Sequence, residues 1–155
     1  MTVPYFLDTN ILIYAALGKA KEETKRKKAA ELMGGAEFGI SAQVLQEFYT
    51  VVTSKKRQVP LTKATAMQWI ERLEIQPCAP ITPSHVKLSV LLSERYGISY
   101  WDGSILTAAE ALGAPIVYTE DLNHGQIYGC VKAVNPFRPE YISGGFQETS
   151  ASPLT

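Results

Sequence analysis

The stretch Phe6-Leu7-Asp8-Thr9-Asn10, FLDTN, cuts an apolar run that resumes at once with Ile11-Leu12-Ile13. Val3 to Leu7 is short, apolar and aromatic, which predicts a buried strand. Thr9 onward has room for a short helix ending near Gly18. Asp8 therefore falls at the C-terminal end of the first strand, and in open parallel sheets the crevice outside those ends is where ligands bind. The plainer account is a helix N-cap, supplied by Asp8 or by Thr9. From this stretch alone both accounts stay open.

Working outward, Lys19 to Met33 is charge-rich, with Gly34-Gly35 placed to stop it. Phe38 to Ile40 reads as a second short strand, and Ser41 as the N-cap of a helix running to about Ser54. Thr62 caps a helix to Leu73 that carries Met67, Trp69 and Ile70 at helical spacing. Ile75 to Ile81 holds two prolines and reads as an edge strand. Pro83 suits the first turn of a helix that Gly97 ends. Ser99 to Leu112 is a further helix closed by Gly113, Pro115 to Tyr118 a strand, and Cys130 to Val134 a weaker one. Strands alternating with helices imply an α/β fold, a three-layer sandwich with a central, mostly parallel sheet. Residues 1–142 read as one domain, and 143–155, small and polar, as a flexible C-terminal tail.

Composition narrows the class without choosing a partner. At 155 residues, with 46% hydrophobic and 19% charged, the chain can close a core and is not disordered throughout. Fifteen basic and fifteen acidic residues cancel, so no global field announces nucleic acid, although charge can be local. Cys78 and Cys130 lack metal-type spacing and read as reduced thiols of a cytoplasmic protein. Neither a signal peptide nor a membrane-length apolar run is visible, so no membrane association is expected.

Three more carboxylates could join Asp8, one at a strand end and two on helices. Pro115 to Tyr118 runs into Thr119-Glu120-Asp121, so parallel pairing with the first strand would bring Asp8 and Asp121 out along one edge. A solvated Asx turn is the alternative for Asp121. Glu47 lies in SAQVLQEFYTVV at the border of the stripe Val44, Leu45, Phe48, Val51 and Val52, where a carboxylate must be paired, protonated, bound to a cation or turned to water. Asp102 follows Ser99 at capping-box spacing, yet is in line with Ile105, Leu106 and Ala109. Were the four to converge, they could not all ionise side by side without a compensating charge. An oxygen-only set favours Mg²⁺ or Mn²⁺, and metal-assisted phosphodiester hydrolysis is the matching chemistry.

FLDTN, Glu47 in its helix, ISYWDGSILTAA around Asp102 and IVYTEDLNHGQ around Asp121 together resemble a PIN domain, over Tyr5 to about Phe137. The branch they look most like is the VapC-type toxins of bacterial toxin–antitoxin pairs, where TEDLNHGQ followed by VNPF has counterparts. The resemblance implies a metal-dependent ribonuclease acting on RNA, a homodimer, and inhibition by a cognate antitoxin protein. It assigns Asp8, Glu47, Asp102 and Asp121 to the family's acidic quartet, with Asp8, Asp102 and Asp121 as ligands of Mg²⁺ or Mn²⁺. Thr9 or Asn10, and Thr119, take the places of polar residues that orient acids or water, and Ser99 that of the serine before the third acid. Gly103 departs from the more usual alanine and should leave the site open.

Other features read structurally or stay undecided. Lys25-Arg26-Lys27-Lys28 and Lys55-Lys56-Arg57 could grip RNA phosphates, but a solvated helix face and a helix C-terminus are the better accounts of each alone. His124 suits an exposed loop, and Trp69 and Trp101 suit core or interface. Aspartyl phosphatases also place an Asp after the first strand, but they need a second Asp where Asn10 stands. The remaining alternative is a PIN-shaped module that binds RNA or protein without cutting.

Overall fold

The computed structural model describes residues 2–18, 22–35 and 37–142; the expected tail of 143–155 lies outside them. Strand β1 (Phe6–Leu7) pairs in parallel with β4 (Ile116–Tyr118), Leu7 standing opposite Tyr118. β4 pairs in parallel with β6 (Val131–Val134), which closes against β5 (Ile127–Tyr128) in an antiparallel pairing, the one such among the described residues. β2 (Ile40–Ser41) and β3 (Cys78–Ala79) form a second parallel pair. A bridge from Phe6 to Gly39 carries the sheet from β1 across to β2. The order β3-β2-β1-β4-β6-β5 is thus parallel apart from one edge strand.

Successive residues of a strand face opposite sides of its sheet. Phe6 and Leu7 are both fully buried, so helices cover β1 on both faces, as a parallel sheet requires. α1 (Thr9–Leu17) packs on α2 (Glu23–Gly35) and α3 (Ala42–Val52), and α3 on α4 (Lys63–Leu73). α5 (Pro83–Tyr96) packs on α6 (Tyr100–Ala111), and α6 lies against β2, β3, β4 and β6.

The caps explain why these helices begin where they do. Hydroxyls of Ser41, Thr62, Thr82 and Ser99 accept backbone N–H groups three residues on, and Gly97 ends α5 in the left-handed region at φ 63°. α6 is the most deeply set helix, buried at every residue from Gly103 to Ala109. A Cβ at Gly103 would lie 2.6 Å from the Ser89 carbonyl oxygen, so the glycine is what lets α5 and α6 approach. Its absent methyl serves this packing against α5.

Three expectations shift. α2 does not stop before Gly34-Gly35 but includes both, exposed in its last turn, where a glycine costs only about 1 kcal/mol. The first strand is Phe6–Leu7 rather than Val3 to Leu7, and the second is Ile40–Ser41, displaced toward its cap. The hairpin strand β5 was not anticipated; Gly129, at φ 64°, turns it into β6.

Candidate active site

Because β1 and β4 are parallel neighbours, the chain leaves both at the same edge, bringing Asp8 and the Thr119–Asp121 segment together. Asp8 caps α1, as the plain reading has it, but the cap is only half of its bonding. One carboxylate oxygen accepts the Thr9 N–H at 2.7 Å and the other accepts the Thr119 hydroxyl at 2.7 Å. The side chain is held in one orientation and only 5% exposed. Burial pushes its pKa up to about 7, partly countered by those two hydrogen bonds and reinforced by the charges of Asp121 and Glu47.

Glu47 reaches the same place from α3. Its Oε1 accepts the Thr9 hydroxyl at 2.6 Å and its Oε2 accepts Gln43 Nε2 at 3.2 Å. Thr9 thus touches Asp8 through its backbone and Glu47 through its side chain. Of the pair Thr9 and Asn10, it is Thr9 that is bonded to the acids; Asn10 instead lines a cavity of about 260 Å³ with Tyr14 and Arg57.

Asp102 sits in the first turn of α6 with its N–H on the Ser99 hydroxyl at 3.0 Å, and Ile105, Leu106 and Ala109 behind it are buried. Both readings of Asp102 hold together: it complements the helix dipole and lies above the buried face. Partial burial raises its pKa, and the charges of Asp121 and Glu47 raise it further. Asp121 is steered by its own N–H, which donates to the Thr119 hydroxyl at 3.0 Å. Its pKa is also raised, by burial first and then by Glu120, with Glu47 adding to the effect and the neighbouring Asp8 carboxyl partly opposing it.

The four acids therefore share one electrostatic neighbourhood. Glu47 acts on all three aspartates, and Asp121 on both of the others. Among the described residues, none of the four is in an ion pair. As placed, no three His, Cys, Asp or Glu side chains among the described residues stand close enough to hold one metal ion. The donor set nevertheless has the chemistry of a hard-cation site, with oxygen donors only, mutual repulsion and no basic partner.

The surroundings settle several basic and aromatic residues. Lys25 bonds to Glu120 at 2.7 Å and to the Tyr14 hydroxyl at 3.1 Å, and lies over the rings of Tyr14 and Phe137. It anchors the loop that carries Asp121. Arg26 pairs with Glu23, and Lys28 with Glu31, so most of the first basic cluster is spent on its own helix and this loop. His124 is half-buried, not exposed: its Nδ1 accepts the Asn135 N–H at 3.0 Å and its ring packs edge-on to Tyr141. Gln43 is the site-lining residue that the sequence reading missed. Its signal was available, one helical turn before Glu47 on the same face.

A sheet that delivers two acids at one edge and two helices that bring two more define a PIN architecture. The chain belongs to the PIN domain family, whose family model matches residues 5–129. No curated protein sequence matches it. Among solved structures, it is similar to a toxin–antitoxin complex from Klebsiella pneumoniae, 18% identical with TM-score 0.64, over 86% of this chain and 98% of that one. It is likewise similar to VapC20 of Mycobacterium tuberculosis, a toxin that cleaves the sarcin–ricin loop: 16% identical, TM-score 0.57, over 76% and 89%. VapBC2 of Rickettsia felis, bound to a fragment of its promoter DNA, is 18% identical with TM-score 0.56, over 83% and 96%. At these identities the likeness is one of fold.

Proposed function

We propose that the protein is a metal-dependent endoribonuclease of the VapC type, the toxin of a toxin–antitoxin pair, hydrolysing RNA phosphodiester bonds at Asp8, Glu47, Asp102 and Asp121. The observation that carries this is the convergence of Asp8, Glu47 and Asp121 on the hydroxyls and backbone of Thr9 and Thr119, with Asp102 tied in beside Gln43 and no basic partner for the four among the described residues. Such a set is costly to ionise unless a cation joins it. The toxin–antitoxin complexes that share the fold support the antitoxin partner, and the loop-cleaving toxin supports RNA as substrate.

In this reading Asp8, Asp102 and Asp121 hold Mg²⁺ or Mn²⁺. The bound ion supplies charge neutralisation and a water of lowered pKa. The chain's own residues do the arranging. Thr119 fixes both Asp8 and the backbone of Asp121, so two ligands from different strands keep a set spacing. Thr9 and Gln43 pin both oxygens of Glu47, leaving its outer lone pairs to orient the attacking water. Asp102, half-exposed, and Asp121, exposed, would complete the ligand set with the buried Asp8. A cytoplasmic homodimer is part of the same proposal, and among the described residues no helix is long and apolar enough to cross a membrane.

The test is cleavage of a structured-RNA pool with Mn²⁺ or Mg²⁺ and with EDTA, beside Asp8→Asn purified identically. Metal-dependent cutting that disappears in Asp8→Asn is expected. Equal cutting by both proteins would refute the assignment, and a folded wild type that binds RNA but never cuts it would favour the binding-module alternative.

A further inference from the structure

We propose that Gln43 is a positioning residue that sets Glu47 against the start of α6, and that its buried carbonyl oxygen takes a hydrogen bond from a water at the acid cluster. The inference rests on the ribonuclease reading above and deepens it.

Gln43 is the second residue of α3 and stands one turn before Glu47, so their side chains share a helix face. It is polar, uncharged and only 3% exposed. Its Nε2 donates to Glu47 Oε2 at 3.2 Å and to the Trp101 carbonyl at 3.3 Å. Trp101 immediately precedes Asp102 in the first turn of α6. One amide group therefore spans the second and third acids of the cluster, which otherwise sit on separate helices. Both neighbours are acceptors, so the amide cannot be turned round without setting oxygen against oxygen at both contacts.

That fixed orientation leaves Gln43 Oε1 facing elsewhere. It is buried and has no hydrogen-bond partner, the one such side-chain atom among the described residues. Buried polar atoms are rarely left so, and ordered water is the usual remedy, each molecule making about three hydrogen bonds. A water donating to Oε1 would complete the hydrogen bonding of this amide. Such a water would continue the row Thr9, Glu47, Gln43, whose direct contacts hold Glu47 in place.

Gln43→Met keeps length and apolar bulk but neither donates nor accepts comparably. Gln43→Glu keeps the shape and replaces the donor with an oxygen that opposes Glu47. Each variant, confirmed folded by circular dichroism, would be measured for Mn²⁺ affinity by calorimetry without RNA, and for kcat and KM on a cleaved RNA. A loss in kcat of roughly 10- to 100-fold is expected. KM and Mn²⁺ affinity should stay within about threefold, since Glu47 orients water rather than anchoring the ion. A disturbance of the whole site would instead lower Mn²⁺ affinity in step with kcat, and that result overturns the positioning role. Wild-type kcat in either folded variant overturns it too, while leaving the ribonuclease reading intact. A wild type that neither binds Mn²⁺ nor cuts RNA removes both. A crystal structure should show water within roughly 3.2 Å of Oε1; a protein donor there instead would remove the water.

Discussion

Replacing Asp8 by Asn should make the metal-free protein more stable at neutral pH, although it removes a residue proposed to be essential. The Asp8 carboxyl is raised from its ordinary 3.8 to about 7, chiefly by burial. A raised carboxyl leaves stability intact below the unfolded pKa and takes it away as pH climbs toward the folded one. The charge of Asp8 therefore costs about 1.5 kcal/mol at pH 5 and about 4 kcal/mol at pH 8, to order of magnitude. Asparagine carries no such cost, but its single oxygen cannot accept from both Thr9 and Thr119, a loss of about 1 kcal/mol. Urea unfolding in EDTA should then find Asp8→Asn more stable by about 3 kcal/mol at pH 8, and nearly level with wild type at pH 5. Adding Mn²⁺ at a hundred times its Kd should return about 2.7 kcal/mol to the wild type and nothing to the variant. An Asp8→Asn protein less stable than wild type at pH 8 in EDTA would refute the reasoning, since the buried charge would then be held favourably without a cation.

Other substitutions probe the frame around the acids. Gly103→Ala puts a methyl 2.6 Å from the Ser89 carbonyl and should cost about 1–3 kcal/mol by urea unfolding, with RNA cleavage falling as α6 and Asp102 shift. Thr119→Val removes the donor to Asp8 and the acceptor for the Asp121 N–H, both in a residue 1% exposed. It should lose about 1–3 kcal/mol of stability and weaken Mn²⁺ binding in calorimetry by roughly 10- to 100-fold. Opening the Lys25–Glu120 pair with Lys25→Met should cost under about 1 kcal/mol, because both groups are partly exposed; thermal melting would show it.

What could be read from the sequence was whatever local chemistry fixes. Ser41, Thr62 and Ser99 announce helix starts because a side-chain oxygen must satisfy the free N–H groups there, and each does so. The position of Asp8 and Asp121 at one sheet edge followed from two apolar runs ending in acids, once parallel pairing was assumed; the register of Leu7 opposite Tyr118 supplies that pairing. Less legible were features set by distant partners. His124 looks like a loop residue until Asn135 and Tyr141 are seen against it. Lys25 looks like part of a basic patch until Glu120, 95 residues away, claims it. Gln43 carries no charge and no motif, and only the closeness of Trp101 shows what its amide joins. Two-residue strands such as β5 are too short for periodicity to declare.

The central proposal is that Asp8, Asp102 and Asp121 hold a divalent cation beside Glu47. Mn²⁺ titration of the wild-type protein, followed by calorimetry or by the loss of the free Mn²⁺ resonance signal, tests it without any choice of RNA. Saturable binding that Asp8→Asn, Asp102→Asn and Asp121→Asn each abolish or greatly weaken is the result expected. Wild-type protein that leaves Mn²⁺ free, or binding that survives all three substitutions, would contradict the account.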